Sequence, residues 1–334
     1  MQPNKLTALD FEDIKASINS YLRTRDEFTD YDFNGSTLSY LVDVLAYNSY
    51  YSAFMSNMAM NEVFLPSATI RDNVVNISKL LNYVPRSITC SKAAINLEVQ
   101  TSQTNQAYPS SVTLKKGPVA RGSNYIWNTL EDITAEVDTV TGKATFHCVT
   151  INEGSVINFS YTVNTFQTQE YKIPSEDADI ETLRVTVKAN ESSTTSDLYN
   201  AVETVTNLTG NTRSYFISEG EDMRYRVRFG DDSIGRKLKD GEVINFQYLT
   251  CSGKEANEVT GFGYIGSMED SNNVAVSNSD ILLTTKERSQ MGDDPESIES
   301  IKYMAPRFYA SQYRAVTAQD YAVITKNLYS NAES

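Results

Sequence analysis

Residues Gly35 to Leu65 read GSTLSYLVDVLAYNSYYSAFMSNMAMNEVFL. Between Asp43 and Glu62 there is no charged side chain, and such a run belongs either in lipid or against protein on several sides. The interspersed Asn48, Ser49, Ser52, Ser56 and Asn57 argue against lipid, so the stretch predicts a buried bundle helix. At about 100° per residue, Leu38, Leu41, Val42 and Leu45 share one side, which continues as Ser49, Ser52, Ala53 and Ser56. Tyr47, Tyr50, Tyr51, Phe54 and Met58 hold the opposite side of the second half. The helix therefore has two contact faces and needs two sets of neighbours. Either the chain's own helices fill both, or a partner covers one. Small residues let another backbone come close, while Tyr and Met are enriched at protein interfaces.

Working outward, Pro66 ends this helix, which would be ~42 Å long if unbroken. Upstream, Thr7 with Asp10 suggests a cap for an amphipathic helix carrying Phe11, Ile14, Ile18 and Leu22 on one face. Arg23 to Phe33 mixes acidic and aromatic residues and suits an extended strap, and Asn34-Gly35-Ser36 offers a cap for the central helix. Downstream, Thr69 with Asp72 suggests another cap, and Ile70, Val74, Ile77 and Leu81 make a stripe that Asn82 to Pro85 closes.

Beyond Arg86 the period changes from 3.6 to 2. Ile95-Leu97-Val99, Ile157-Phe159-Tyr161-Val163 and Leu183-Val185-Val187 sit at alternate positions, as in half-buried strands. Thr141-Gly142-Lys143 and Asn152-Glu153-Gly154 are turn signals. The Ser-, Thr- and Asn-rich Ala189 to Thr212 predicts a long loop, or a short helix near Asp197 to Thr206, dividing two β modules. Met223, Tyr225, Val227 and Phe229 alternate with Arg224, Arg226 and Arg228, a strand whose expected hairpin partner is Val243 to Thr250. Its cationic face reads as a solvated face paired with the chain's own acidic groups, in preference to a grip for an acidic partner. From Thr285 the helical period returns. Asp294 and Pro295 would start one helix with Ile298, Ile301, Met304 and Phe308, and Thr317 with Asp320 would cap a last one. The apolar stripe of Tyr321, Ile324 and Leu328 suggests a fragment of a longer protein. The fold class is α+β: a helical bundle domain at 1–86, β modules at 87–190 and 191–284, and a helical segment at 285–334.

The 334 residues carry a net charge of -14, which disfavours nucleic acid phosphates and anionic lipid. Neither a signal peptide nor a membrane-spanning run is apparent, so cytoplasmic synthesis is expected. Cys90, Cys148 and Cys251 lack metal-ligand spacing and read as free buried thiols, with no metal or cofactor expected. His147 is the one histidine and sits in a strand-like run, which leaves little to build nucleophilic catalysis from. No P-loop, dinucleotide or zinc motif is present, and Asp231-Asp232 reads as a turn because the spacing of a calcium loop is absent. An enzyme is not expected.

Three segments taken together resemble a known family. They are Phe33 to Leu41 through Leu45-Ala46-Tyr47-Asn48-Ser49-Tyr50-Tyr51 with Asn61 to Leu65 and Ile70-Arg71-Asp72; Val227 to Asp231 with Gly235 and Asp240-Gly241; and Gly292 to Ser297 with Ala305-Pro306 and Arg314 to Tyr321. The family is the baseplate wedge proteins of T-even-type contractile-tailed phages, or baseplate J-like proteins, of which this chain resembles the N-terminal portion. Its usual Asp-Gly turn reads Asp231-Asp232 here. The resemblance implies a structural virion protein, assembled in host cytoplasm, that helps build the wedge and inner ring and couples host contact to sheath contraction. It implies as partners a second copy of the chain, the large wedge-arm protein, the small wedge protein and the lysozyme-like sheath-initiator subunit, with no nucleic acid and no membrane.

The expected partner interface combines Phe11, Ile14, Ile18 and Leu22 with Leu38, Leu41, Leu45, Tyr47, Ser49, Tyr51, Ser52, Phe54 and Met58. The change of period places an expected hinge at Tyr83, Pro85 and Arg86. Rival classes are a tail adhesin or receptor-binding module, a carbohydrate-degrading tail enzyme with two close carboxylates, and a cytosolic scaffold unrelated to phage.

Overall fold

Asp10 opens the first helix of the computed structural model, its carboxylate accepting the Glu12 and Asp13 amides at 2.9 and 3.4 Å. The structure describes residues 10–26, 37–103, 107–202, 208–312 and 314–328. Thr7, residues 27–33 of the expected strap and the expected cap at 34–36 lie outside them, whereas Arg23, the expected start of the strap, is the last residue of the first helix; Asp10 itself caps that helix. Helix α1 spans Phe11–Arg23. Helix α2 spans Leu38–Val63, and at 1.5 Å per residue its 26 residues measure ~39 Å. Lys15 of α1 meets Asp43 of α2 at 2.6 Å.

Helix α3 spans Arg71–Leu80. Its start is held differently from the expected Thr69–Asp72 pair. Glu62, in the last turn of α2, accepts the Thr69 amide and hydroxyl at 2.9 and 2.6 Å, the Ile70 amide at 3.2 Å and the Asn73 side-chain amide at 2.9 Å. One carboxylate thus satisfies donors that a cap residue would otherwise take. Tyr83 is buried, and its amide donates to the Ser78 carbonyl at 3.1 Å.

The chain divides into two compact units, residues 1–83 with 298–306, and residues 84–297 with 307–334. In the second, period-2 alternation gives strands because each buries every other side chain. In chain order they are β1 (Lys92–Gln100), β2 (Ser111–Leu114), β3 (Gly117–Gly122), β4 (Tyr125–Thr129), β5 (Ile133–Glu136), β6 (Lys143–Glu153), β7 (Ser155–Thr162) and β8 (Glu170–Lys172). Then come β9 (Ala178–Lys188), β10 (Ser196–Ala201), β11 (Ser214–Glu219), β12 (Tyr225–Phe229), β13 (Val243–Thr250), β14 (Gly263–Tyr264), β15 (Met268–Asp270) and β16 (Ile281–Gln290).

They form a sheet ordered β14-β3-β4-β6-β1-β16, a sheet ordered β7-β13-β9-β10-β11-β12-β8, and a small one ordered β15-β2-β5. Ile95, Leu97, Trp127, Phe146 and Ile151 fill one core with Val112 and Leu114, and Val185, Tyr199, Val227, Ile244 and Phe246 fill another. Fully burying a side chain of that size contributes about 1.5–3 kcal/mol.

Three expectations about this region change. The boundary at residue 190 falls inside one sheet, because β9 and β10 flank it and pair directly, Val187 opposite Asp197. Ser196–Ala201, expected as loop or helix, is that strand β10. Its composition is polar, but Tyr199 is buried and the backbone pairs on both sides. Residues 203–207 of the expected loop lie outside the described ones. The second change concerns pairing: β12 runs against β11 and β8, while β13 lies between β7 and β9, so no hairpin joins Tyr225–Phe229 to Val243–Thr250. The whole second sheet is therefore inserted between β6 and β14 of the first. Gly154 makes the entry possible. Its φ of +128° suits glycine, and a Cβ there would lie 2.4 Å from the Thr250 carbonyl oxygen.

Third, helix α4 spans Ile298–Ser311, starting later than Pro295. Asp294 instead meets Lys254 at 2.5 Å and Asp293 meets Arg86 at 2.7 Å, so these carboxylates anchor the loop before the helix. Ile301, Met304 and Ala305 are buried, and Pro306 sits inside the helix. Helix α5 spans Ala318–Leu328 with the expected box: Asp320 accepts the Thr317 amide at 2.8 Å while its own amide donates to the Thr317 hydroxyl at 3.2 Å. The α+β class, with N-terminal helices, mainly antiparallel β-sheets and C-terminal helices, is as the periodicities indicate.

Candidate partner interface on the central helix

Helix α2 buries one narrow face. Val42, Ala46 and Asn57 are buried and Tyr50 and Ala53 half-buried, and these positions recur with spacings of four and three residues. Within the N-terminal unit α1 packs against α2, and Phe11, Ile14, Ile18 and Leu22 of α1 are half-buried.

The rest of the helix is open. Tyr40, Val44, Tyr47, Tyr51, Phe54 and Met58 are all exposed, from 41% at Met58 to 74% at Tyr40. Their spacing is 4-3-4-3-4, the period of 3.5 residues that sets one helix against another in a coiled-coil seam. At 1.5 Å per residue the line from Tyr40 to Met58 extends ~27 Å. Beside it run Leu41, Leu45, Ser52 and Met55, also exposed, while Leu38 is half-buried and Ser49 exposed. Soluble monomers rarely show a contiguous apolar surface of this extent, and one usually marks an interaction site. No described helix is long and apolar enough to cross a membrane.

Sequence reasoning picked Tyr47, Tyr51, Phe54 and Met58 from this seam but missed Tyr40 and Val44, and Met55 beside it. Tyr40 and Val44 flank the charged Asp43, which hid the seam's first turns; the unbroken 4-3 spacing was the signal available. At the far end Val63, Phe64, Ile70 and Leu80 are also exposed, Leu80 at 83%.

The electrostatics of the unit are local. Burial pushes the Glu62 carboxyl up, but the hydrogen bonds from Asn73, Thr69 and Ile70 outweigh it and hold the group down to about 2. Hydrogen bonding and charge from Asp43, against a smaller desolvation, raise Lys15 above its ordinary range.

Of the expected hinge residues, Tyr83 is fixed to Ser78 in the helical unit. Pro85 is buried and its carbonyl accepts the Tyr225 hydroxyl at 2.9 Å. Arg86 exchanges backbone bonds with Glu296, its amide donating to the carboxylate at 3.1 Å and its carbonyl accepting the Glu296 amide at 3.0 Å. Between these anchors only Val84 is exposed.

The cationic strand face is neutralised within the chain. Arg224 meets Glu176 at 2.7 Å, and Arg226 and Arg228 each meet Glu170 at 3.2 Å. Asp231 accepts the Ser233 and Ile234 amides at 2.9 and 3.0 Å, which closes a turn and, with those bonds the leading cause, lowers its carboxyl. His147 is exposed on β6. Of the cysteines expected to be buried, Cys90 and Cys251 are, but Cys148 is exposed, on a bulge of β6 with φ of 54°.

The helical unit thus carries an exposed apolar line on α2, and the β-rich unit pairs Arg224, Arg226 and Arg228 with its own Glu176 and Glu170. Residues 10–83 match the family model described as the helical domain of gp6-like baseplate wedge proteins. The chain is 26% identical over 335 residues to "Baseplate wedge protein gp6" of Enterobacteria phage T4, covering 93% of this chain and 48% of that protein. It thus spans about half the length of this relative. The resemblance to baseplate wedge proteins read in the sequence holds.

Proposed function

We propose that this chain builds the baseplate wedge and its inner ring through the open seam of α2, with helices of other subunits covering Tyr40 to Met58. The observation that carries this is the 4-3-4-3-4 line of exposed apolar residues. A seam with that period is satisfied by a helix of like period, so the occupants are helical: α2 of a second copy, and a helix of the large wedge-arm protein. Leu38, Leu41, Leu45, Ser49 and Ser52 offer a flatter strip beside the aromatic line for a second neighbour, while Phe11, Ile14, Ile18 and Leu22 of α1 brace the bundle from behind. The small wedge protein and the lysozyme-like sheath-initiator subunit dock elsewhere on the assembly. The role is structural and not enzymatic.

The β-rich unit acts as the lever that passes host contact to the sheath, pivoting about Val84 between Tyr83 on one side and Pro85 and Arg86 on the other. Extended and contracted particles then differ in backbone angles at residues 83–86, whereas one rigid body across this junction in both states removes the pivot. For the bundle, mixing the full chain with the large wedge-arm protein and measuring mass by light scattering yields a complex holding two copies of this chain. Phe54→Glu weakens it by about 30-fold or more, as for a central interface anchor. Equal complex formation by wild type and Phe54→Glu overturns the seam.

A further inference from the structure

Cys90, Asp179 and Cys251 stand far apart in the sequence and meet inside the β-rich unit. Cys90 precedes β1, Asp179 lies in β9, and Cys251 follows β13, so the three come together where the inserted sheet joins the first. The two sulphurs and a carboxylate oxygen all lie within 4.8 Å of one another. Cys90 and Asp179 are fully buried and Cys251 nearly so, against the apolar Ile88, Leu249 and Val156.

Asp179 is the informative member. Its two oxygens accept the Cys90 and Glu181 amides, each at 2.9 Å, yet among the described residues no cation forms an ion pair with it. Glu153, also buried, accepts the Ser252 amide at 3.0 Å beside Cys251 and likewise has no cationic partner. Burial outweighs the Ser252 bonds and pushes the Glu153 carboxyl up. A carboxylate held in an apolar interior without counter-charge is costly, and backbone amides repay only part of that. Lys92, on β1, is taken up by Glu181 at 3.6 Å, both partly exposed. The two thiols beside Asp179 are neutral or anionic by their chemistry and supply no cation.

We propose that Cys90, Asp179 and Cys251 form a binding site for one thiophilic divalent cation, with zinc the best match to two sulphurs and a carboxylate oxygen. Each thiol releases its proton to solvent and binds as thiolate. The three ligands then carry three negative charges, of which the ion neutralises two. In a tetrahedral zinc site neighbouring ligand atoms lie roughly 3.5–4 Å apart, so the cluster needs to close by no more than about 1 Å. The fourth position takes a water molecule. Such an ion ties the entry of the first sheet to β9 and β13 of the second and stiffens the body at its internal joint. Neither the ion nor its test depends on the partners of α2.

The test uses the full chain, reduced and freed of metal, titrated with zinc and separately with cobalt(II). The expected result is one zinc per chain, a cobalt spectrum with thiolate charge-transfer absorption, and a Tm raised by several degrees. Zinc also protects Cys90 and Cys251, and not Cys148, from alkylation. Cys148→Ser keeps all of this, while Asp179→Asn weakens binding about tenfold or more. Because that variant risks misfolding, the wild-type cobalt spectrum and alkylation pattern decide. Folded, reduced wild type that binds no zinc overturns the proposal, as does zinc that leaves Cys90 and Cys251 open to alkylation. A Cys90–Cys251 disulfide in metal-free protein prepared without reductant, with no zinc uptake after reduction, also overturns it.

Discussion

The helical unit and the β-rich unit solve the same problem in opposite ways. The β-rich unit buries large side chains against its own strands, with Trp127, Tyr199, Phe246 and Tyr248 all 2% exposed or less, and it matches Arg224, Arg226 and Arg228 with its own Glu176 and Glu170. Helix α2 buries three residues of 26 and leaves its aromatic seam to solvent. One unit covers its large side chains with its own strands, and the other leaves a line of aromatic side chains exposed.

The most severe way to break the comparison is to damage the β-rich unit. Trp127→Ala removes a fully buried indole that packs edge-on against Phe262 at 5.1 Å between ring centroids, and should cost about 3–5 kcal/mol. Denaturant unfolding followed on the β-rich unit should show that loss, and a shift under 1 kcal/mol would mean that this core is not what holds it. Phe54→Glu should do the reverse. It leaves the unfolding midpoint within about 0.5 kcal/mol, because the site is exposed, while association weakens by about 2–4 kcal/mol, as for a central interface anchor.

Between these lies Glu62, where the two units respond to acid with opposite sign. Its folded pKa of about 2 is below the ordinary 4.5, so its contribution is complete above pH 4.5 and is lost as pH falls towards 2. Glu153, in the β-rich unit, is raised by burial, so protonation there favours the folded state and its cost grows as pH rises through its folded pKa. Regional hydrogen exchange from pH 6 to pH 3 should therefore loosen the α2–α3 turn before the β6–β13 junction. Glu62→Gln, measured at pH 7, should cost about 1–3 kcal/mol in the helical unit by removing a charged acceptor of several bonds and should flatten that acid response. The smallest effect belongs to the surface pairs: Arg228→Ala, whose partner Glu170 keeps Arg226, should change stability by no more than about 1 kcal/mol.

What could be read in the sequence follows the same division. Ile95, Leu97 and Val99 announced β1 because alternation is local, and the charge-free run from Val44 to Asn61 announced α2 because its length admits no other element. Pairing is not local. Tyr225–Phe229 and Val243–Thr250 look like a hairpin in one dimension, but β13 is a central strand that takes β7 and β9 instead. Ser196–Ala201 hid because its polar residues outnumber Tyr199, the one that reaches the core. The Cys90, Asp179 and Cys251 cluster hid for the same reason, since residues from three distant strand ends carry no spacing motif. In α2 the apolar character was legible, whereas the face left open depended on where α1 packs.

The most direct measurement is hydroxyl-radical footprinting of the free chain and of assembled baseplates. The side chains Tyr40, Tyr47, Tyr51, Phe54 and Met58 should be oxidised readily in the free chain and become protected at least about tenfold on assembly, an estimate in keeping with the burial of interface anchors, while Trp127 stays protected in both. Equal oxidation of those five side chains in free chain and baseplate would contradict the account.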